Sequence, residues 1–373
     1  MTMYGERRDK LYHWMTEEEI TLVMFQHTEA QRDLAVRWLT GYPGDALLFL
    51  VCPEKKALLV PWDIHLARTL AQADAVLPYT DFERQPIKAL LGAALYFSLP
   101  SGSKLEIPPA TPYPVFLNYV EAVADFDIIC RDPGAHNEAA SLRAVKDAEE
   151  IAVYRQVSAI TNELIDLLEK HVKDGKLRTE GETALFIEAE CRKRGCEGTG
   201  FETLAAGPDR SFGIHAFPAY TAGAFATQGL SILDFGLVYA GYTSDVTLTF
   251  ARGPLNKHQE RLLTLTERAY RIALSLAQDG MPAKIIAAEV DGFFSNAKKQ
   301  MPHALGHGIG LEAHEFPAIR NRRDNTWTLK PGMVFTLEPG LYDPDHGGCR
   351  LENDILLTES GTEPLTKARI IRL

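Results

Sequence analysis

SILDFGLVYAGYTSDVTLTF, residues 231–250, contains two apolar runs that flank a turn at Ala240-Gly241. This pattern predicts an antiparallel hairpin. An aspartate interrupts each run, Asp234 in the first and Asp245 in the second. Aspartate is a poor strand former and is costly to bury without a partner. We expect the two aspartates to face each other across the hairpin, where like charges repel unless a cation lies between them.

Carboxylates also interrupt two apolar strands nearer the C-terminus. In FTLEPGLY, residues 335–342, Glu338 ends an apolar run. In GGCRLENDILLTE, residues 347–359, Glu352 comes shortly before the apolar run ILLT. A single acidic residue of this kind is more often found at a turn or a sheet edge. Four of them in strand-like settings indicate a shared cation site.

A glycine-rich segment adds imidazoles to these carboxylates. HALGHGIGLEAHEFP, residues 303–317, holds His303, His307 and His314, and its glycines let the backbone pass close to a metal centre. Ligation by several carboxylates and one imidazole suits manganese, cobalt, iron or zinc. Four carboxylates are too negative for one divalent ion, whereas two ions that share bridging carboxylates balance them. Each histidine could be a ligand, an acid-base group or simply part of a turn.

The segments around this hairpin indicate an α+β domain, because helices come first and short antiparallel strands follow. An apolar face at helical spacing predicts a helix over residues 146–172. TEGE, residues 179–182, has the pattern of a capping box. Asn256 can cap a further helix, and Pro282 can occupy the first turn of the next one.

The N-terminal third alternates strand-like and helix-like segments, which predicts a smaller α/β domain. The expected strands are residues 45–51, 56–62 and 128–130, the first two joined by a turn around Pro53 and Glu54, and the expected helices are residues 63–73 and 86–95. RDPGAHNEAA, residues 131–140, is the predicted linker because proline, glycine and asparagine break regular structure. We therefore place the domains at residues 1–135 and 136–373.

Composition excludes several classes of protein. The net charge of −11 argues against a nucleic-acid partner, which requires a basic face. The charged N-terminus has no apolar signal region. The sequence contains no run of about eighteen apolar residues, so we expect no membrane span. The five scattered cysteines do not suggest a disulfide framework or a thiolate zinc site. We expect a cytoplasmic protein with reduced thiols.

The motif order resembles that of a known enzyme family. DFG, GYTSD, GHGIG followed by HE, TLEPG and CRLEND, within residues 201–359, resemble the metal-binding motifs of the "pita-bread" metallopeptidases. This family includes methionine aminopeptidase, aminopeptidase P, prolidase and the metal-free creatinase. LRAVKDAEEIAVYRQV, residues 142–157, resembles the start of their catalytic domain, and VRWLTGY, residues 36–42, resembles the creatinase-type N-terminal domain.

The resemblance implies a C-terminal pita-bread fold, with a curved antiparallel sheet and covering helices, after a creatinase-type domain. The presence of that first domain favours the branch that hydrolyses Xaa-Pro peptide bonds, as Xaa-Pro dipeptidases or aminopeptidases, with a metal-bridging water or hydroxide as nucleophile. Two divalent ions are implied, manganese first, with cobalt, zinc or iron as alternatives. A homodimer acting on small peptides with proline at the second position is also implied.

The family's site residues map onto this chain one by one. Asp234 matches the residue that chelates one ion, Asp245 and Glu352 match the bridging ligands, and His307 and Glu338 match those that complete the second ion; Glu338 also matches the acceptor of the nucleophile's proton. His215 matches the histidine near the scissile amide, His314 the one that stabilises the tetrahedral intermediate, His303 a residue bordering the substrate pocket, and Arg350 a residue that orients the carboxylates.

Some positions depart from the family pattern and concern the substrate rather than the metal. Ile214 replaces a frequent proline, Leu248 stands where arginine is common after the second aspartate, and Leu305 stands where a small residue is common. These departures leave open a same-fold enzyme acting on a small non-peptide, such as an ectoine-type amide hydrolase or a lyase. A metal-free binding protein is a third alternative. Trp38 could close the site of a neighbouring subunit or belong to the core.

Overall fold

The protein is described by a computed structural model covering residues 2–52 and 54–373, so the predicted turn at Pro53 lies outside the described residues. The chain divides into two compact units, Met1–Leu142 and Arg143–Leu373. The predicted linker is wrong in its second half, because residues Ala135–Leu142 form a helix that belongs to the first unit. This segment is rich in alanine, which favours a helix once the break at Pro133-Gly134 has passed.

The first unit is a six-stranded mixed sheet with helices. Its helices are α1 (Met3–Glu17), α2 (Ala35–Thr40), α3 (Ile64–Leu70), α4 (Pro86–Tyr96), α5 (Tyr113–Ala122) and α6 (Ala135–Leu142), with a short 3-10 helix at Tyr79–Phe82. Its strands are β1 (Leu22–His27), β2 (Ala46–Val51), β3 (Lys56–Pro61), β4 (Ala75–Val76), β5 (Lys104–Glu106) and β6 (Asp127–Ile129), in the order β4-β3-β2-β1-β5-β6.

The centre of this sheet is antiparallel and its edges are parallel. β1 pairs antiparallel with β2, and β2 with β3, whereas β4, β5 and β6 join in parallel. The continuous apolar runs of β2 and β3 are buried on both faces, as expected for central strands. Trp38 in α2 is only 2% exposed, which favours its alternative assignment to the core.

The second unit combines four helices with several sheets, which are antiparallel except that β20 joins β12 in parallel. The helices are α7 (Ala148–Lys173), α8 (Glu180–Lys193), α9 (Lys257–Leu276) and α10 (Ala283–Asn296). The strands are β7 (Gly198–Thr199), β8 (Leu204–Ala206), β9 (Gly229–Phe235), β10 (Leu237–Tyr239), β11 (Tyr242–Thr243), β12 (Val246–Arg252), β13 (Gly306–Gly308), β14 (Glu315–Ile319), β15 (Val334–Leu337), β16 (Gly340–Asp343), β17 (Gly347–Arg350), β18 (Asn353–Thr358), β19 (Gly361–Pro364) and β20 (Ile370–Arg372). This α+β architecture agrees with the predicted fold class.

Capping residues define where three of these helices begin. Full capping boxes are formed by Asp147 with Glu150 before α7, by Thr179 with Glu182 before α8, and by Asn256 with Gln259 before α9. The second box was predicted from the sequence, and Asn256 was predicted as a cap without its partner Gln259. Pro282 lies at the N-cap of α10 rather than inside its first turn. Each box satisfies backbone N–H groups that the helix itself leaves without acceptors.

Two sheets of this unit contain the strands in or beside which the predicted metal ligands lie. Their orders are β20-β12-β9-β8 and β14-β13-β15-β18-β19. An isolated antiparallel bridge joins Thr247 in β12 to Glu352, which links the two sheets. Helices α9 and α10 pack their apolar faces on the inner strands, forming a buried cluster that includes Leu262, Ala269, Ile286, Val290, Phe335 and Ile355. This core fixes the strand ends from which the acidic residues project.

The hairpin of residues 231–250 has a different register from the one expected. Ala240 and Gly241 both have positive φ, 49° and 89°, so the predicted turn is confirmed. However, Asp234 pairs with Thr247 and not with Asp245. Asp245 directly precedes β12, outside the regular ladder. The expectation that the two aspartates oppose each other in one ladder was therefore wrong.

None of the described helices combines the length and the apolar run that a membrane crossing requires. All five cysteines are free thiols, four of them buried, as the scattered spacing predicted.

Candidate metal centre

Strand ends bring the predicted ligands together. Asp234 lies near the end of β9, Asp245 just before β12, His307 in the middle of β13, Glu338 just after β15, and Glu352 between β17 and β18. Asp245, Glu338 and Glu352 lie just outside their strands, where side chains need not follow the alternation of a ladder. Asp234 and His307 lie within paired strands. Asp245 and Glu352 are almost fully buried, so their charges need compensation.

Three of the five side chains already have the spacing of a metal site. One ligand atom each from Asp245, His307 and Glu352 lie within 4.8 Å of one another. Glu338 adjoins this group, because its Oε1 lies 3.6 Å from Nε2 of His307. The same Nε2 lies 3.8 Å from Oδ2 of Asp245. One imidazole nitrogen is thus surrounded by carboxylate oxygens.

The tautomer of His307 suits ligation. Its Nδ1 lies 3.1 Å from the carbonyl oxygen of Gly308, which can only accept a hydrogen bond. Nδ1 therefore carries the proton, and the lone pair of Nε2 faces the carboxylates. Burial and the nearby His314 lower the pKa of His307 to about 3, so the ring is neutral. A neutral imidazole with a free lone pair is the form that binds metal ions.

The glycines beside His307 have a packing reason that the sequence did not show. A Cβ on Gly306 would overlap the carbonyl of Thr336 in β15, and one on Gly308 would overlap the carbonyl of Phe316 in β14. The strand β13 is therefore pressed between its two neighbours, with a register shift after His307. Glycine lets the backbones come close, and the distortion directs the imidazole towards the acidic residues.

Electrostatic repulsion dominates the acidic cluster. Burial raises the pKa of Asp245 well above its ordinary value, and Glu352 and Asp234 raise it further. Burial, with repulsion from Glu352, raises the pKa of Glu338 in the same way. For Glu352, burial and Asp234 together raise the pKa to about 7. Carboxylates held this close are stabilised by cations, which favour their charged forms.

Arg350 supplies one fixed positive charge to this cluster. Its side chain is only 2% exposed, and an Nη2 hydrogen bond of 2.6 Å reaches Oδ2 of Asp234. The guanidinium also donates to the Thr247 hydroxyl at 3.0 Å and to the carbonyl of Ile214 at 3.0 Å. A planar fork of several donors is a property of arginine and not of lysine. These contacts hold Oδ2 of Asp234 against the guanidinium of Arg350.

One oxygen of Asp234 tests whether the site fits a cation. Among the described residues, Oδ1 of Asp234 is buried and has no hydrogen-bond partner, while its Oδ2 is held by Arg350. A buried carboxylate oxygen without a partner is costly. A cation bound beside this oxygen would satisfy it. The mixed oxygen and imidazole donors fit a hard or borderline divalent ion.

A hydrogen-bonded chain that the sequence did not reveal links Arg350 to His303. Nη1 of Arg350 donates to the hydroxyl of Tyr342 at 2.8 Å, and this hydroxyl lies 2.9 Å from Nε2 of His303. His303 Nδ1 donates to the Ala304 carbonyl at 2.8 Å, so its Nε2 accepts the tyrosine proton. Tyr342 is an ordinary strand tyrosine in the sequence, and no local signal marks it.

Two further histidines, His314 and His215, lie near this cluster. The rings of His307 and His314 are 4.1 Å apart between centroids. Burial and the proximity of His215 lower the pKa of His314. His215 is solvent-exposed and lies in the irregular segment between β8 and β9. The structure thus brings His215, His303 and His314 to the neighbourhood of the acidic residues.

A second layer of polar side chains holds the acidic residues. The Thr247 hydroxyl donates to Oε2 of Glu352 at 2.7 Å, and the Thr336 hydroxyl accepts from the backbone N–H of His307 at 3.2 Å. Both oxygens of Asp354 accept from the backbone N–H of Asp245, at 3.1 and 3.3 Å. Sequence reasoning gave Asp354 no role, although an acidic residue in a buried strand is itself a signal.

A buried ion cluster anchors the segment that carries His314. Arg143 contacts Glu312 at 2.8 Å and also pairs with Glu315, while Nζ of Lys146 lies 3.6 Å from Glu315. The two cations lower the pKa of Glu315 despite its burial. Charges this deeply buried are tolerated only when they are paired. The pairing ties residue 315, next to His314, to the start of the second unit.

Comparisons with known proteins agree with this geometry. Residues 152–359 match the model of metallopeptidase family M24, and residues 7–101 match that of the creatinase/prolidase N-terminal domain. An Xaa-Pro dipeptidase from Pyrococcus furiosus is 30% identical over 374 residues, which cover 97% of this chain and 98% of the relative.

Two solved structures are similar over nearly the whole chain. The prolidase from Pyrococcus furiosus has a TM-score of 0.80 and 26% identity, with 95% of this chain and 99% of that chain covered. The X-Pro aminopeptidase from Thermotoga maritima has a TM-score of 0.83 and 26% identity, with 98% and 99% covered.

Proposed function

Because this chain belongs to metallopeptidase family M24 and carries a creatinase/prolidase N-terminal domain, we propose that it is an Xaa-Pro dipeptidase with two divalent ions. It is a metal-dependent hydrolase with the pita-bread fold. The observation that carries the proposal is the convergence of Asp245, His307 and Glu352 within 4.8 Å, beside the unpartnered Oδ1 of Asp234. The full-length similarity to an Xaa-Pro dipeptidase supports the choice of substrate.

Five side chains would hold the ions. Asp234 with the two bridging carboxylates would serve one ion, and His307 with Glu338 would complete the other; the bridging residues are Asp245 and Glu352. The ions, when bound, supply a water molecule activated for attack and polarise the peptide carbonyl. Manganese is our first choice because carboxylate oxygens dominate the donor set. The homodimer and the cytoplasmic location stay predictions.

The remaining residues handle protons and developing charge. Glu338, whose pKa is raised by burial and by Glu352, suits the role of proton acceptor during hydrolysis. His314 and His215 would hydrogen-bond to the reacting carbonyl and the leaving proline nitrogen. His303 would border the substrate pocket, held by Tyr342. Arg350 keeps Asp234 in place.

An Xaa-Pro aminopeptidase that accepts longer peptides is the second candidate. It is favoured by the similarity to the X-Pro aminopeptidase from Thermotoga maritima, which covers the chain as fully as the prolidase does. Both activities need the same ligands and differ in what they accept after proline. The metal site therefore does not discriminate between them, and the length of the accepted substrate does.

One hydrolysis panel tests these activities. The purified chain is stripped with a chelator and then assayed with manganese, cobalt or zinc on Xaa-Pro dipeptides, Xaa-Pro-Yaa tripeptides and the same peptides with alanine in place of proline. We expect metal-dependent cleavage of the Xaa-Pro dipeptides and little cleavage of the alanine controls. Faster cleavage of the tripeptides would favour the aminopeptidase, and no cleavage of any peptide would reject both.

A further inference from the structure

The segment that carries His215 is an irregular loop, residues 207–223. One buried carboxylate joins the two ends of this loop, at a point that we call its neck. Oε1 of Glu180 accepts the backbone N–H of Gly207 at 2.7 Å, at the beginning of the loop. Oε2 of Glu180 accepts both the backbone N–H and the hydroxyl of Thr221, at 2.7 and 2.6 Å, at its end. Glu180 is only 1% exposed. A single side chain therefore joins the two ends of the loop.

The neck is tight as well as hydrogen-bonded. Backbone N–H groups of Glu180 and Gly181 donate to the carbonyls of Gly223 and Thr221, both at 2.9 Å. A Cβ on Gly207 would overlap the carbonyl of Ala224 on the opposite side. Both ends of the loop pass through this narrow neck. We therefore expect a change at the neck to move the whole loop.

The loop is also attached to the strands of the metal site. Nη1 of Arg350 donates to the carbonyl of Ile214, the residue before His215, at 3.0 Å. The Ser211 hydroxyl accepts the backbone N–H of Gly348 in β17 at 3.1 Å. Inside the loop, Arg210 donates to the carbonyl of Pro218 and lies 3.5 Å from Glu180. The position of His215 is thus determined by these attachments and by the neck.

We propose that Glu180 is a positioning residue for hydrolysis: it holds the 207–223 loop closed and thereby places the imidazole of His215 at the substrate. The inference rests on the proposed function, since it takes His215 to act on the substrate. The contacts of the Glu180 side chain are with Gly207, Thr221 and Arg210, none of which is a proposed metal ligand. In the sequence, TEGE explains Thr179 and Glu182 as capping residues and leaves Glu180 without a role.

Glu180→Ala tests the proposal in the full-length protein loaded with manganese and assayed on an Xaa-Pro dipeptide. We expect kcat to fall by about 10- to 100-fold, since a misplacement of about 1 Å can cost that much. The manganese content, measured by elemental analysis, should stay at the wild-type level. Glu180→Gln keeps one acceptor oxygen and should fall between Ala and the wild type, because one neck contact survives.

A double-mutant cycle with His215→Ala separates positioning from a general structural effect. If Glu180 acts through His215, adding Glu180→Ala to His215→Ala should lower kcat by less than about twofold further. Glu182→Ala is the matched control, because it perturbs the same helix start from an exposed position without contacting the loop. It should lower the melting temperature while kcat stays at the wild-type value.

Each result decides the inference. Three results would overturn the positioning role while the proposed function stands. They are a wild-type kcat in Glu180→Ala, a loss of manganese from that variant, and a double mutant whose loss of kcat equals the product of the two single losses. Unchanged kcat in His215→Ala would overturn the role of His215 together with this inference. If Glu180→Ala does not fold, Glu180→Gln and Thr221→Val take its place in the cycle. Each of them must then lower kcat less in the His215→Ala background than in the wild type. A wild-type protein that hydrolyses no Xaa-Pro peptide overturns the proposed function itself.

Discussion

Replacing Glu352 by glutamine should stabilise the chain without cations while destroying its metal site. Glu352 is 2% exposed, and burial with the nearby Asp234 raises the pKa of its carboxyl from 4.5 to about 7. One pKa unit corresponds to about 1.4 kcal/mol, so keeping this carboxyl ionised costs the folded state about 3 kcal/mol. Glutamine is neutral at every pH, and its amide oxygen can still accept the Thr247 hydroxyl.

The sign of the effect sets its pH dependence. Below pH 4.5 the carboxyl is protonated in both the folded and the unfolded chain, and the variant should match the wild type. Between pH 4.5 and about 7 the unfolded chain ionises first, so the wild type loses stability relative to the variant. Above about pH 7 the difference in unfolding free energy between the variant and the wild type levels off. We expect Glu352→Gln to unfold with a free energy larger by about 3 kcal/mol at pH 8.

The assay is denaturant unfolding at pH 4 and pH 8, with chelator and with manganese. Manganese at about 100 times its dissociation constant should stabilise the wild type by about 2.7 kcal/mol, and the variant much less. Glu359→Gln, at an exposed position of the next turn, is the control and should change stability by less than about 0.5 kcal/mol. Equal stabilities of wild type and Glu352→Gln at pH 8 with chelator would refute the repulsive carboxylate cluster.

Further substitutions test the other parts of the site. Asp245→Ala should abolish hydrolysis and release metal, as seen by elemental analysis, because it removes a bridging ligand; full metal content with activity would show the assignment to be wrong. Arg350→Lys should lower kcat by roughly 100-fold, because an ammonium cannot hold Asp234 and the Ile214 carbonyl together; a wild-type kcat would contradict this. Tyr342→Phe should lower the unfolding free energy by about 1–3 kcal/mol, because Arg350 loses one of its acceptors and Nε2 of His303 loses its donor; an unchanged unfolding free energy would argue against that hydrogen-bonded chain. Glu315→Gln should destabilise the protein by about 3 kcal/mol at neutral pH. Because Arg143 and Lys146 lower the pKa of Glu315, its contribution is present above about pH 4.5 and is lost as the pH falls through the lower folded pKa, so unfolding curves of variant and wild type should converge in acid; a constant gap would contradict the pairing.

The sequence drew attention to the acidic cluster because a carboxylate inside an apolar strand contradicts its local surroundings. Such a conflict can be seen one residue at a time, and Asp234 and Asp245 both show it. The capping boxes at Thr179 and Asn256 were predictable for a similar reason, since their pattern is local. In contrast, the linker prediction weighed the breakers at residues 132–134 too heavily and missed the alanine-rich helix after them.

Contacts across sheets could not be predicted from local patterns. The partner of Asp234 in the ladder is Thr247, because the strands break around the turn and Asp245 falls outside β12. Tyr342 joins His303 to Arg350 only once β16 and β17 pair. Glu180 closes a loop that begins 27 residues later in the chain. These relations depend on long-range register, which composition and periodicity do not specify.

We propose above all that the acidic cluster holds two divalent ions, which Xaa-Pro hydrolysis requires. The most direct measurement is a manganese titration of the chelator-stripped protein, in which bound metal and turnover of an Xaa-Pro dipeptide are followed together. We predict no turnover without metal and full turnover at about two bound ions per chain. Undiminished turnover by protein that elemental analysis finds free of metal would contradict the account.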